Sequence, residues 1–325
     1  MLTMIPERPR LPLARYRLHF TALEAARLPE FAGSTWRGAL GHALKRSVCV
    51  TQLPKCAPCP LVHVCAYAWV FETPPPPTAE KMRKYPAVPH PFVLNPRVGP
   101  VHLNAGAPYT LELTLVGHGN RHLPYLLHAF ERAGQHGLGK GLGRMQLDSA
   151  ERETPIGSGQ WQRVYQPGWG VDITPPSEPA VPLVPAAGVR IDVLTPLRLR
   201  RDGRPVRADT FQFVDLFANL LRRVSMLSYF HTDRPLETDF AGLTRKAREV
   251  ELADVLLEWR SWNRYSSRQK REVTMDGLMG DLLLPPQDIA PFWPYLWLGQ
   301  FIHAGAGTTM GQGRLRVKPV ADGGH

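Results

Sequence analysis

No run of this chain is long and apolar enough to cross a bilayer. The most apolar late stretch, Ala290 to Ile302, is short and holds two prolines. The amino terminus, Met1 to Tyr16, mixes Arg, Pro and Glu and lacks the apolar centre of a signal peptide, so the reading is a soluble cytoplasmic protein with no membrane partner. Acidic residues are in deficit: 28 Asp and Glu against 39 Lys and Arg give a net charge of +11 and a pI of about 9.8. That balance points to a polyanionic partner, nucleic acid or an anionic surface. Cysteine is scarce too. All four lie between Cys49 and Cys65, and such clustering without an export signal argues for a metal rather than for disulfides.

What the chain has in quantity is glycine at one place. The stretch Ile302-His303-Ala304-Gly305-Ala306-Gly307-Thr308-Thr309-Met310-Gly311-Gln312-Gly313-Arg314 carries four glycines. Their main-chain N–H groups, uncovered by side chains, would form a cradle for a phosphodiester. The layout occurs twice. Setting Pro294-Tyr295-Leu296 on Pro124-Tyr125-Leu126 without a gap brings Gly307 onto Gly137, Gly311 onto Gly141, Gly313 onto Gly143 and Arg314 onto Arg144. The repeated unit reads as apolar helix, glycine-rich loop and closing strand. Neither loop has the Lys-Ser/Thr ending of a P-loop, so the nucleotide-metabolising enzymes that use one fit poorly.

A chain of 325 residues suits two domains of about 150, each with its own core. Arg15 to Phe20 alternates as a first strand, and a helix capped by Ser34 or Thr35 follows, with Trp36, Leu40, Ala43, Leu44 and Ser47 on one side. The tetraproline Pro74 to Pro77 is an extended connector. Tyr109 to Val116 reads as strand, Leu123 to Gly134 as helix, and Gly137 to Leu147 closes the half. The order then restarts with strands at Val189 to Val193 and Leu197 to Arg200. A long helix over Ala208 to Phe230 follows, then strands at Ala253 to Arg260 and Met279 to Leu284, a helix over Phe292 to Ile302, and Leu315 to Val317. The fold expected is α+β, with two tandem ferredoxin-like (RRM-like, βαββαβ) domains. The first covers 1–150 with a four-cysteine insertion at 49–65, the second 188–320. The Pro-rich 151–187 reads as a linker, with one short strand near Trp161 to Tyr165.

The cysteines Cys49, Cys56, Cys59 and Cys65 follow a C-x6-C-x2-C-x5-C spacing, with Cys-Ala-Pro-Cys as a tight knuckle. Four thiolates suit a tetrahedral structural zinc, with a 4Fe-4S cluster as the alternative. A closed four-thiolate shell leaves no position for catalysis, so either group would be a clip. Arg198, Arg200, Arg201, Arg204 and Arg207 form one basic run. Arg260, Arg264, Arg268, Lys270 and Arg271 form another, interleaved with Trp259, Trp262 and Tyr265. Arginine forks and stacking aromatics are the usual readers of phosphates and unpaired bases.

Two ferredoxin-like halves, each ending in a glycine-rich loop, resemble the RAMP superfamily of CRISPR-associated RNA-binding proteins. Within it, Trp262-Asn263-Arg264-Tyr265-Ser266-Ser267-Arg268-Gln269, Met275-Asp276-Gly277-Leu278-Met279-Gly280 and His303 through Gly313 are similar to the carboxy-terminal domain of the CRISPR repeat-processing endoribonucleases. Trp36-Arg37-Gly38-Ala39-Leu40-Gly41, the clustered cysteines and Phe71-Glu72 fit a cysteine-bearing branch of that family. The resemblance implies an RNase, with no cofactor for catalysis, that binds the repeat hairpin of precursor CRISPR RNA. It cuts 3′ of the stem by attack of the adjacent 2′-hydroxyl and leaves a 2′,3′-cyclic phosphate. Such an enzyme often stays on its product, the crRNA, as a subunit among other CRISPR effector proteins. The alternative within the superfamily is a subunit that holds guide RNA without cutting it.

Transesterification of this kind needs a base, an acid and positive charge on the phosphorane. His42 is the first candidate for base or acid: the helical wheel sets Gly38, Lys45, Arg46 and Cys49 near it and the apolar stripe nearly opposite. Lys45, one turn on, is the candidate for charge. His231, after Arg222 and Arg223, is a lesser catalytic candidate, and His19 reads as structural. His303, Gly305, Gly307, Gly311, Gly313 and Arg314 of the loop, with Arg264, Arg268, Lys270 and Arg271, are the expected RNA contacts, His303 either as a contact or as a brace of the loop.

Overall fold

The computed structural model describes residues 8–82, 87–139, 141–266 and 271–320; of residues 263–266 and 271–274 it gives the backbone alone. The chain divides into two compact units. The amino-terminal unit comprises residues 10–180 and 226–235, and the carboxy-terminal unit the remainder.

The amino-terminal unit runs β1 (Leu13–Ala22), β2 (Ala26–Leu28), α1 (Gly33–Val48), β3 (Phe92–Pro96), β4 (Val101–Leu103), β5 (Pro108–Val116), α2 (Leu123–His136), β6 (Met145–Glu153) and β7 (Trp161–Tyr165). Strict alternation along β1 buries Ala14, Tyr16, Leu18, Phe20 and Ala22 and leaves Arg15, Arg17, His19 and Thr21 on the open face. The sheet order is β3-β5-β1-β6-β7. Without β7 this is the 2-3-1-4 order of a ferredoxin-like sandwich. Trp36 fills the centre of its core, stacked on Tyr109 with ring centroids 5.6 Å apart and donating its indole N–H to the Tyr109 hydroxyl at 3.1 Å. α1 begins earlier than its serine and threonine suggest: Ala32 is its cap and no side chain caps it.

The stretch 151–187 is less of a linker than its prolines suggest. β6 continues to Glu153, and β7 pairs with it through Glu151↔Arg163 and Glu153↔Trp161. Ser177 then exchanges two backbone hydrogen bonds with Leu13. The unit reaches Ala180 because these segments satisfy sheet-edge groups that would otherwise face water.

The carboxy-terminal unit runs β8 (Val189–Leu197), β9 (Arg200–Arg201), β10 (Arg204–Pro205), α3 (Phe213–His231), α4 (Phe240–Glu249), β11 (Asp254–Ser266), β12 (Arg271–Leu284), α5 (Trp293–Ile302) and β13 (Leu315–Pro319). The last turns of α3 count with the amino-terminal unit. The sheet order β11-β12-β8-β13 repeats the ferredoxin-like order. Phe213, Phe217, Phe292 and Tyr295 tie α3 to α5, with the rings of Phe217 and Phe292 at 4.5 Å. α3 starts at Phe213 rather than at residue 208, because Ala208–Thr210 winds as a 3-10 turn and Phe211 is extended. Among the described residues no helix is long and apolar enough to cross a membrane.

Candidate functional site

In the amino-terminal unit the candidate chemistry sits on the solvent side of α1. Trp36, Leu40, Ala43 and Leu44 go to the core, and 3.6-residue spacing turns His42 outward, where it is exposed. The two helix glycines nearest His42 differ. A side chain at Gly38 would meet open space, whereas one at Gly41 would meet the Phe71 ring at 3.0 Å. Only Gly38 therefore leaves room for a ligand; Gly41 is small so that Phe71 can seat on the helix. Lys45 is half-buried, its ammonium 5.6 Å from the centre of the Tyr67 ring, and the Arg37 guanidinium lies 5.2 Å from that of Phe71. Tyr67 stacks on Phe71 and donates to Glu72 at 3.4 Å. Burial first, then the Glu72 carboxylate, pushes its phenol up to about 12, so it stays neutral across the physiological range. His42 thus stands within one turn of Lys45, whose ammonium is steadied on an aromatic face.

The other histidines are committed elsewhere. His231 is buried and its Nε2–H donates to the Pro89 carbonyl at 2.6 Å, with its ring edge-on to Trp69, so it is a core histidine and not a catalytic one. His19 pairs with Glu151 at 2.8 Å on the open face of the sheet. Arg15 and Arg17 on that face bind Glu112, Arg15 also binds Glu153, and the Arg17 guanidinium lies 3.9 Å from the centre of the Trp161 ring. That face is neutralised rather than basic, which the sequence did not signal because Trp161 and Glu153 lie in the stretch read as linker.

The four cysteines are half-buried, reduced, and line one cavity of about 460 Å³ with Val50, Leu53, Val64, His122 and Tyr125. Cys49 ends α1 through its N–H to the Lys45 carbonyl, and the Cys59 N–H closes the knuckle onto the Cys56 carbonyl at 2.9 Å. Burial raises the Cys56 thiol, with Glu72 adding to it. The donor set is that of a thiolate-bound metal. Among the described residues, however, no three Cys, His, Asp or Glu side chains stand together as metal ligands. The chemistry of the four thiols fits a metal.

In the carboxy-terminal unit the glycine loop joins α5 to β13 and is held by backbone carbonyls of β8 and its neighbours and by a few side chains. The N–H groups of Ala304, Ala306 and Gly313 go to the carbonyls of Gly313, Arg198 and Pro196, and that of Gly305 to Asn219 Oδ1 at 2.7 Å. Thr195 accepts from the Arg314 N–H at 2.8 Å and donates to the Gly311 carbonyl at 2.7 Å. Arg223, one turn of α3 beyond Asn219, donates to the Ile302 carbonyl at 2.9 Å. Desolvation holds its guanidinium down to about 10, still charged at neutral pH. The glycines are required by close packing: a Cβ at Gly313 would lie 1.8 Å from the Ala304 carbonyl oxygen and one at Gly305 2.7 Å from that of Arg198.

This corrects the open cradle expected from the sequence, whose free N–H groups reduce to those of Gly307 and Thr308 among the described residues. His303, expected to meet RNA, is buried, and its Nδ1 lies 3.2 Å from the Gln312 carbonyl, so its part is to brace the loop. Arg264 and Arg271 lie on β11 and β12, paired through Arg264↔Val273 and Ser266↔Arg271. Arg268 and Lys270 lie outside the described residues. Sequence reasoning missed Asn219, Arg223 and Thr195; a polar side chain on the otherwise apolar face of α3 was the available signal for the first two.

Comparison with known proteins follows the same division. Residues 11–177 match a family model described as an N-terminal domain, and residues 191–315 match that of the CRISPR-associated endoribonuclease Cas6. No curated protein matches the chain in sequence. Among solved structures the chain is similar to a Cas6 product complex, at 17% identity and a TM-score of 0.56, covering 94% of this chain and 100% of that one. It is similar to Thermus thermophilus Cas6 at 15% identity and a TM-score of 0.52, covering 95% and 99%. A partial Cas6-RT-Cas1–Cas2 complex matches at 13% identity and 0.54, covering 97% of this chain and 47% of that one. At these identities the likeness is one of fold.

Proposed function

Because residues 191–315 match the family model of the CRISPR-associated endoribonuclease Cas6 and the chain shares the fold of a solved Cas6, we propose that it belongs to that family and matures CRISPR RNA by cutting the repeat of the precursor. The reaction is attack of a 2′-hydroxyl on the adjacent phosphorus. The P–O bond to the departing 5′-oxygen breaks, and a 2′,3′-cyclic phosphate and a free 5′-hydroxyl result. His42 takes the proton of the 2′-hydroxyl as the P–O2′ bond forms, and Lys45 offers charge to the phosphorane oxygens. The departing oxygen takes its proton from water. The observation that supports this reading is the exposed face of α1, where His42 stands within a turn of Lys45 and beside the open surface over Gly38.

RNA is held chiefly by charge. Arg264 on β11 and Arg271 on β12, with Arg268 and Lys270 between them in sequence, meet phosphates, and Arg314 with the N–H groups of Gly307 and Thr308 lines a second contact. Gly305, Gly311 and Gly313 shape that loop rather than touch the ligand. The cleaved repeat stays bound and brings the protein into contact with other CRISPR effector subunits.

The test is cleavage of cognate repeat RNA in EDTA beside the same RNA carrying a 2′-deoxy substitution at the cut. Cleavage of the first alone, lost in His42→Ala with affinity retained, is the expected result. Tight binding of both RNAs with no cleavage of either would replace the nuclease by a guide-holding subunit.

For Cys49, Cys56, Cys59 and Cys65 we infer a structural metal, zinc in preference to a 4Fe-4S cluster, that draws the thiols together and clips the insertion without taking part in catalysis. Elemental analysis of the purified protein is expected to give one zinc per chain, lost in Cys56→Ser together with several degrees of melting temperature. Iron with absorbance in the visible would assign the cluster instead, and absence of both metals would remove the clip.

A further inference from the structure

One basic run of the sequence has no part in the cleavage reading: Arg198, Arg200, Arg201, Arg204 and Arg207. In the structure it folds as a two-stranded ribbon. β9 and β10 pair through Arg201↔Arg204 and Arg200↔Pro205. Asp202 and Gly203 turn between them with φ of +52° and +78°, the left-handed pair that a tight two-residue hairpin requires. The ribbon is rooted in the glycine loop, since the Arg198 carbonyl accepts from the Ala306 N–H at 3.1 Å.

The five arginines are not equivalent. Leu199 and Val206 are buried, and the Val206 N–H donates across the ribbon to the Leu199 carbonyl at 3.1 Å. Alternation then turns Arg198, Arg200, Pro205 and Arg207 to the outer face, and Arg201 and Arg204 to the inner one. Arg201 is committed to the protein: its guanidinium forks onto the Asp215 carboxylate and donates to the Thr210 carbonyl at 2.9 Å. Arg198 lies 3.2 Å from the Asp276 carboxylate. Arg200 and Arg207 are exposed, and among the described residues no carboxylate pairs with either.

Arg207 is nonetheless held in direction, its guanidinium 3.8 Å from the centre of the Trp259 ring. An aromatic face steadies a cation without neutralising it. Extending the ladder sets Arg207 opposite Arg198 and diagonal to Arg200, about 7–8 Å away. Two uncompensated guanidiniums so placed offer forked donors to the oxygens of neighbouring phosphates. Trp259 gives a face to Arg207, so the contact expected here is to the backbone of a nucleic acid and carries no sequence information.

We propose that the outer face of the β9–β10 ribbon is a further phosphate-binding arm for the repeat RNA, with Arg200 and Arg207 as the contacts and Trp259 positioning Arg207. It rests on the reading of the chain as a repeat-binding protein and extends the RNA path outward from the glycine loop.

Fluorescence anisotropy tests it, with the full chain and repeat RNA blocked by a 2′-deoxy substitution at the cut, over a series of salt concentrations. Arg200→Ala and Arg207→Ala are each expected to weaken binding roughly fivefold and to lower the slope of log affinity against log salt by about one. Single-turnover cleavage of unblocked RNA at saturation keeps the wild-type rate in both. Arg204→Ala removes the same charge from the inner face and is expected to change neither affinity nor slope. Trp259→Ala removes no charge yet is expected to weaken binding several-fold, and Trp259→Phe, which keeps an aromatic face under Arg207, to recover it. Wild-type affinity and slope in Arg200→Ala and Arg207→Ala, an equal loss in Arg204→Ala, or wild-type affinity in Trp259→Ala would each overturn the proposal. A wild-type protein that does not bind repeat RNA at all would remove the repeat-binding reading itself, and the arm with it.

Discussion

At Gly313 one methyl group decides whether the loop forms. The backbone there has φ +64°, and an added Cβ would lie 1.8 Å from a carbonyl oxygen of the same loop. Gly313→Ala is expected to cost about 2–3 kcal/mol, read as a lower urea midpoint, with repeat cleavage reduced in proportion to the folded fraction. His122 is a second single-residue effect. Burial first, then the charge of Arg121, lowers its imidazole below the ordinary value of 6.5. The unfolded chain takes up the proton before the folded one, so the fold loses stability as pH falls below about 6.5 and gains nothing further above it. Melting temperatures from pH 8 to 5 are expected to slope less in His122→Phe than in the wild type, and equal slopes would remove the role. The exposed setting of His42 was legible because one helical wheel separates it from Trp36 and Leu40. The settings of His231 and His303 were not, since each is buried by a distant carbonyl, of Pro89 and of Gln312, that no spacing rule supplies.

Elements with strong periodicity were readable, and those set by partners were not. β1, α2 and α5 carry uninterrupted patterns and fall close to their expected ranges. α4 is short and polar, and its only mark was Asp239, which accepts from the Gly242 N–H at 2.8 Å. β3 was hidden among prolines, whereas β7 falls where a short strand was expected, at Trp161–Tyr165. The glycine loop was recognisable as a repeat, but most of its N–H groups go to acceptors of the same chain: such groups attract carbonyls as readily as phosphate. α3 supplies the missing support through Asn219 and Arg223. Asn219→Ala is expected to lower stability by about 1 kcal/mol by leaving the Gly305 N–H without its acceptor, and to weaken repeat-RNA binding several-fold. A filter-binding curve identical to the wild type would show that the loop keeps its form without this brace.

For the molecule as a whole the net charge of +11 governs how RNA is met. Affinity for repeat RNA is expected to fall by roughly 10³ between about 50 and about 200 mM salt, as for a protein making about six phosphate contacts, and a flat dependence would point to stacking instead. The duplication seen in the sequence recurs as the same ferredoxin-like strand order in two sheets, because each carries its own buried face. It could not foretell that residues 226–235, at the end of α3, count with the amino-terminal unit. There His231 donates to Pro89, and the Tyr229 hydroxyl accepts from the Glu80 N–H at 3.0 Å. The two halves are therefore not heritable alone. A gene broken in the Pro-rich stretch would encode an amino-terminal half missing a piece of itself, residues 226–235.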